Sequence, residues 1–499
     1  MTQDSNIGSA SHCDFSCTQF QNARQEEPPL DVTIGLDFGT ATTKVIVRTY
    51  YEPDRPGFAV DFKECAHASS PYLASTSLWV SENLSVSLTH SANATLLTDF
   101  KYALMQPTKS TVLGRGGWAD RKGFDAASIS AAYLAVVLRY SRHWFLENHR
   151  KSFSERPVRW SVALGLPSEN YDNGSLCDQY LNVCGAAWLL SLRAIPYKLT
   201  DSDKTIAFGP DLGGRLTRVD DSKKPVAEFA GDGNASNAVI GLLPEVVAEV
   251  AGYANSFRRR NGLHLLIDIG ASTVDICSFI LHERDGEDRY EMLTALVEPL
   301  GTSRAHDARM KVVRTFNIVF PRELEKKQSY DAALPLPNGP DDYLPNEQVL
   351  LDCLTSTRRR FLEIDDQTFK ECRKVIAKVA DCTRRERDPH SKHWKTGLPL
   401  FVAGGGRGVA IYRKAITEYS EWLRTHLEPC PGFVELTPSK PGELRGDFVP
   451  DFFPRLSVAW GLTFPIDDIG NIGRPSEINN IPPRETLDWK DGAVTKDQV

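Results

Sequence analysis

The chain has no apolar run approaching the ~18 residues that a membrane-crossing helix needs, so no span is expected. Its first residues, MTQDSNIGSASHCDF, lack both a basic start and an apolar core and do not read as a secretory signal. An excess of positive charge is missing too. Fifty-eight Lys and Arg stand against 65 Asp and Glu, and a net charge of -7 argues against a general nucleic-acid binder. The ten cysteines are scattered rather than grouped into a disulfide framework. That is the pattern of reduced, intracellular thiols, and the expected location is cytoplasmic. His12, Cys13 and Cys17 have no second Cys/His pair nearby, so no metal site is expected there.

What is present is a 499-residue chain, too long for one compact core, with the 41% hydrophobic and 25% charged content of a soluble globular protein. Its organising stretch is Leu265–Phe279, LLIDIGASTVDICSF. An apolar run leads into Asp268, a turn of Gly270, Ala271, Ser272 and Thr273, then Val274, Asp275 and Ile276. This reads as strand, tight turn, returning strand. The turn's amides and hydroxyls are of a size to face an anion. Asp268, at the strand end, suits a Mg²⁺ ion held through its waters. Residues 32–47, VTIGLDFGTATTKVIV, repeat the order: strand, Asp37, Gly39, Thr40, Ala41, Thr42, then Lys44 in the next strand. Two such hairpins in one chain can clamp a nucleotide triphosphate from both sides.

A third glycine turn lies in LPLFVAGGGRGVAIYRKAI (398–416), where a strand runs into Gly404, Gly405 and Gly406, followed by Arg407 and a helix. Its spacing lacks the G-x-G-x-x-G form of a dinucleotide fingerprint. Helical periodicity is expected over 126–149, 242–257, 347–364 and 367–385, a strand over 160–167, and an exposed Pro/Asp-rich insertion over 320–346.

DFGTATTK resembles the first phosphate motif of the actin, sugar-kinase and heat-shock-chaperone ATPase superfamily, and DIGASTVDI resembles its second. FVAGGGRG is similar to the adenosine motif Val-Gly-Gly-x-x-Arg-Ile-Pro, although the family arginine falls on Gly408. Residues Glu245–Tyr253, EVVAEVAGY, resemble the first connecting motif, Glu-Pro-Thr-Ala-Ala-Ala-Leu-Ala-Tyr, with Val246 in place of the proline. FPRLSVAWG resembles the second, Ala-Val-Ala-Tyr-Gly, through Ala459 and Gly461. TDFKYALM resembles the chaperone segment whose lysine reaches the γ-phosphate, and places Lys101 there. VEPLGTSRAHD resembles a helix start near the phosphates, at Gly301 and Thr302.

The resemblance implies a two-lobed actin-like α/β fold, each lobe built on a ribonuclease-H-like mixed sheet. The expected division is a disordered tail (1–30), lobe I (31–255), lobe II (256–455), a connecting helix (456–470) and a polar C-terminal tail (471–499). It implies ATP and Mg²⁺ as cofactors, with Asp37 and Asp268 organising the metal. Lys101, Glu245 and Asp275 would join them in catalysis. Gly39 to Thr42, Lys44, Gly270 to Thr273, Gly301, Thr302 and Gly404 to Arg407 would contact the nucleotide. The implied activity is a Mg-dependent ATPase switch resembling a heat-shock-chaperone nucleotide-binding domain without a peptide-binding domain. It would act through a protein partner or by self-assembly. A polymerising actin-like protein and a small-molecule kinase of the sugar-kinase branch are the alternatives.

Overall fold

The first apolar stretch becomes strand β1 (Leu30–Phe38) and turns back as β2 (Thr42–Arg48). Side chains alternate along β1, so Leu30, Val32, Ile34, Leu36 and Phe38 enter the core while Asp37 takes the opposite face. The computed structural model describes residues 28–481 except 68–69, 92, 106–116, 150–155, 194–196, 208–211, 213, 220–224, 231–236, 285, 316–354 and 428. It is a mixed α/β protein with sheets of ten, six and three strands among the described residues.

In the ten-stranded sheet, β3 (Val158–Leu166) lies parallel to β1, and β4 (Ala238–Pro244) parallel to β3. Helices α1 (Ala126–His149) and α2 (Gly174–Ser191) pack on each other beside this sheet. Tyr133 of α1 stacks on Phe38 and donates its hydroxyl to the Ser75 carbonyl at 3.0 Å. Helix α3 (Glu245–Ala254) starts directly after β4. The helix expected from residue 242 begins later because Pro244, at φ -58° and ψ 134°, is still extended.

The six-stranded sheet repeats the opening move. Strands β5 (Gly262–Ile269), β6 (Val274–Arg284) and β7 (Glu287–Glu298) form an antiparallel run. Strand β8 (Leu398–Ala403) lies parallel to β5, and β9 (Phe433–Leu436) parallel to β8. Leu263, Leu265, Ile267 and Ile269 enter a second core with Ile376, Val379, Tyr412 and Leu423. Those partners belong to helices α5 (Thr355–Cys382) and α6 (Ala410–His426). Leu266, Cys277, Phe279 and Phe401, on the sheet's other face, belong to the first core. Helix α4 (Thr302–Thr315) follows β7.

Four features differ from the sequence reading. The two helices expected over 347–364 and 367–385 are one within the described residues, since no Gly or Pro separates them. The connecting segment 456–470 is α-helical only as α7 (Ser457–Gly461), and Pro465 precludes its continuation. The start of the expected C-terminal tail is a strand, Asn471–Gly473, that covers the open edge of β7. Residues Leu444–Arg445, assigned by sequence to the second half, pair with Gly57–Phe58 in the ten-stranded sheet. Residues 1–27 of the expected N-terminal tail and the insertion at 320–346 lie outside the described residues. No described helix is long and apolar enough to cross a membrane.

The two halves meet where α3 and α7 cross. A β-carbon on Gly461 would lie 1.7 Å from the Ala248 carbonyl oxygen, so only glycine permits this approach. Gly35 of β1 faces the same helix, 2.2 Å from the Ala459 carbonyl by the same measure.

Candidate functional site

Both hairpin turns open onto one cleft beside this crossing. It is lined by Asp37, Gly39, Thr40, Ala41, Thr42 and Lys44 from the first hairpin. The second hairpin supplies Asp268, Gly270, Ala271 and Thr273, and the glycine run supplies Gly404 and Gly405. Lys101, Glu245 and Thr302 are the other anticipated residues that line it.

Local contacts explain the small residues. Thr76 donates its hydroxyl to the Gly39 carbonyl at 2.8 Å and its amide to the Ala41 carbonyl at 2.9 Å, pinning the first turn. The Gly270 amide closes on the Thr273 carbonyl at 2.9 Å. Gly404, at φ +81°, would put a β-carbon 2.1 Å from Asp268 Oδ1. Gly406 donates to the Ile269 carbonyl at 2.9 Å. The third turn therefore sits directly on the end of β5, and its glycines are what let it do so.

Charge is dense here. Lys44 pairs with Asp37 at 2.9 Å, and Lys101 with Glu245 at 3.0 Å. Lys101 is itself only 4% exposed, and its ammonium lies 5.8 Å from the Phe38 ring centroid. Asp268 stands opposite Asp275 in the β5–β6 register. Each of these two carboxylates has a buried Oδ1 with no hydrogen-bond partner, while Asp275 Oδ2 accepts from the Ser168 amide at 3.3 Å. Burial, reinforced by Glu245, pushes the Asp268 carboxyl up to about 7 and drives Asp275 well above the carboxylate range.

Five of the anticipated residues do not line the cleft. Asp275 is buried behind Asp268, and Ser272 is buried within the turn. Gly301 supports that turn by donating to the Ser272 carbonyl at 3.2 Å. Gly406 packs on Ile269. Arg407 turns away, because its guanidinium donates to the Asp451 carbonyl at 2.9 Å; it faces a neighbouring cavity.

Four residues that the sequence reading missed do line it: Glu249, Pro454, Arg455 and Val458. Glu249 is the informative one. Both its carboxylate oxygens lie 2.7 Å from Ser457 Oγ, which is also 3.0 Å from the Pro454 carbonyl. A hydroxyl has one proton, so it cannot donate to all three oxygens. A neutral Glu249 resolves the conflict, donating to Ser457 Oγ while Ser457 donates to Pro454. Burial, opposed in part by the Ser457 hydrogen bond, raises this carboxyl to about 8, in agreement with that pattern. A signal was available in the sequence. Glu249 and Ser457 each stand where the connecting motif that they resemble carries alanine.

Among the described residues no three His, Cys, Asp or Glu side chains converge as a direct metal cage. A cation at this site would be held by one or two carboxylates and its own waters, the usual habit of Mg²⁺. The unpartnered buried Oδ1 of Asp268, set against a glycine that leaves it room, fits that role. No protein-family model matches the chain, and no curated protein matches its sequence.

Proposed function

We propose that the chain is a Mg-dependent ATP-binding and ATP-hydrolysing switch, with the two sheets acting as the lobes of an actin-like fold. One observation carries the reading: three glycine turns from distant parts of the chain line a single cleft with Asp37 and Asp268. Turn amides and hydroxyls supply donors for phosphate oxygens, and the N-terminus of α3 adds its positive dipole end.

Bound Mg²⁺ would neutralise phosphate charge. Asp37 and Asp268 would orient it through water, relieving the crowding of Asp268, Asp275 and Glu245. Lys44 and Lys101 are held inside the cleft by Asp37 and Glu245. Phosphate would draw both ammonium groups off their carboxylates. Glu245, so released, would orient the attacking water, in a reaction driven by positioning and charge rather than by covalent chemistry. The cleft as it stands has about 90 Å³ of room, too little for a nucleotide. Entry therefore requires the lobes to part, and reclosure on ATP is the signal passed to a protein partner.

Thermal melting with and without Mg-ATP, run beside phosphate release, tests the reading. A raised melting temperature with release is the expected result. A rise without release would replace hydrolysis with phosphoryl transfer to an acceptor, and no rise would sink the nucleotide reading.

A further inference from the structure

A second cavity, of about 700 Å³, lies beside the cleft and shares only Pro454 with it. The segment that crosses from β9 to Leu444–Arg445 forms most of its wall, and that segment links the two sheets. Arg258, from the loop after α3, and Arg407, after the glycine run, close the other sides.

Four cations line this cavity, Arg258, Arg407, Lys440 and Arg445, against one carboxylate, Asp451. None of the four is ion-paired among the described residues. Arg258 donates to Ser439 Oγ at 2.7 Å, Arg407 to the Asp451 carbonyl at 2.9 Å and Lys440 to the Gly446 carbonyl at 3.2 Å. Neutral oxygens hold Arg258, Arg407 and Lys440, with Lys440 Nζ also 4.1 Å from the Phe448 ring centroid and Arg258 5.7 Å from that of Phe257, and among the described residues no carboxylate offsets their charge. The cavity's own lining holds no aromatic side chain; the rings of Tyr253, Phe257, Trp460 and Phe464 line the adjoining cavity, which shares Arg258 and residues 437–442 with it. What the cationic cavity offers is guanidinium and ammonium groups, with the Thr437 and Ser439 hydroxyls, on a wall stiffened by Pro438, Pro441 and Pro450. Its volume is within the range of small-molecule sites.

From this arrangement we infer that the cavity is a binding site for a small, non-aromatic organic polyphosphate, a polyol or sugar carrying two or more phosphoryl groups. The site is separate from the nucleotide cleft, and its ligand needs no Mg-ATP to bind.

Calorimetric titration with inositol hexakisphosphate, with and without saturating Mg-ATP, tests the assignment. The full chain is compared with R258Q/R445Q, a pair of exposed arginines, and with R359Q/K370Q, an exposed pair on α5. The expected result is one site whose affinity falls at least about tenfold in R258Q/R445Q, since each lost charge-assisted bond contributes about that much. Affinity should be unchanged in R359Q/K370Q and unaffected by Mg-ATP. An equal loss in both variants would mean general charge attraction and overturn the site. Displacement by Mg-ATP would move the ligand to the cleft, and equal competition by a poly-glutamate peptide would reassign the cavity to acidic polypeptides. The Mg-ATP melting shift of R258Q/R445Q, measured in parallel, reports on the cleft alone, so either reading can fail without the other.

Discussion

The two hairpins share a backbone plan and differ in one cross-strand partner. In the first, Asp37 faces Lys44 across the strands and the two form an ion pair. In the second, Asp268 occupies the corresponding place and faces Asp275, with an orphaned oxygen on each. Opposite charges across a strand pair stabilise it, and like charges destabilise it. The first hairpin is thus electrostatically balanced, whereas the second carries an excess of negative charge that a proton or a cation would offset. On the proposed function the two would divide the labour, the first supplying the Lys44 ammonium to phosphate and the second supplying carboxylate to the metal.

Four substitutions bear on that contrast. Asp268→Asn should have the largest effect, a loss of phosphate release of at least a hundredfold, with melting unchanged or raised because a crowded charge has gone. Unimpaired release would remove Asp268 from catalysis. Lys44→Met should come next, leaving Asp37 without its partner, lowering stability by about 1–3 kcal/mol and weakening Mg-ATP binding about tenfold. A stability equal to that of the unmodified chain would show that the ion pair is not what balances the first hairpin.

Asp275→Asn, by contrast, should stabilise the protein above neutral pH by about 1 kcal/mol, in the opposite direction to Lys44→Met. Destabilisation measured by urea melts at pH 8 would mean that the second hairpin is not under like-charge strain. Glu249→Gln differs in kind, because its effect shows as a slope against pH rather than as a single shift. With a native value of about 8, the folded state keeps a proton that the unfolded state gives up near the ordinary carboxylate value. Stability then falls as pH rises between roughly 4.5 and 8, by up to about 1.4 kcal/mol per pH unit, and levels off above. The glutamine cannot lose a proton, so its melting curve should be flatter over that window. An unchanged slope would show that Glu249 does not hold the proton.

Which parts of this were legible in the chain follows from how far apart the causes lie. Strand, turn and return strand are local patterns, and DFGTATTK and DIGASTVDI reveal them within a dozen residues. That Lys44 meets Asp37 follows from hairpin register. The bond from Lys101 to Glu245 joins residues 144 apart, and only the resemblance brought both to the cleft. Glu249 was passed over because its meaning depends on Ser457, which approaches only when α3 and α7 cross. Arg407 was misplaced for the opposite reason. The local glycine motif carried it to the nucleotide, while a carbonyl 44 residues later turns it away. The edge strands Leu444–Arg445 and Asn471–Gly473 are too short to carry a periodicity, so they showed only in the sheets they complete.

The glycine contact at the helix crossing sets a mechanical limit. With no room for a methyl group between Gly461 and the Ala248 carbonyl, the halves bear on each other there like a knife-edge balance. Tilting leaves the fulcrum in place, whereas sliding would drive backbone into backbone. Were the halves to rotate at that pivot, the outer edges of the two sheets would travel furthest. A side chain larger than hydrogen at position 461 would wedge the balance and hold both beams at one angle.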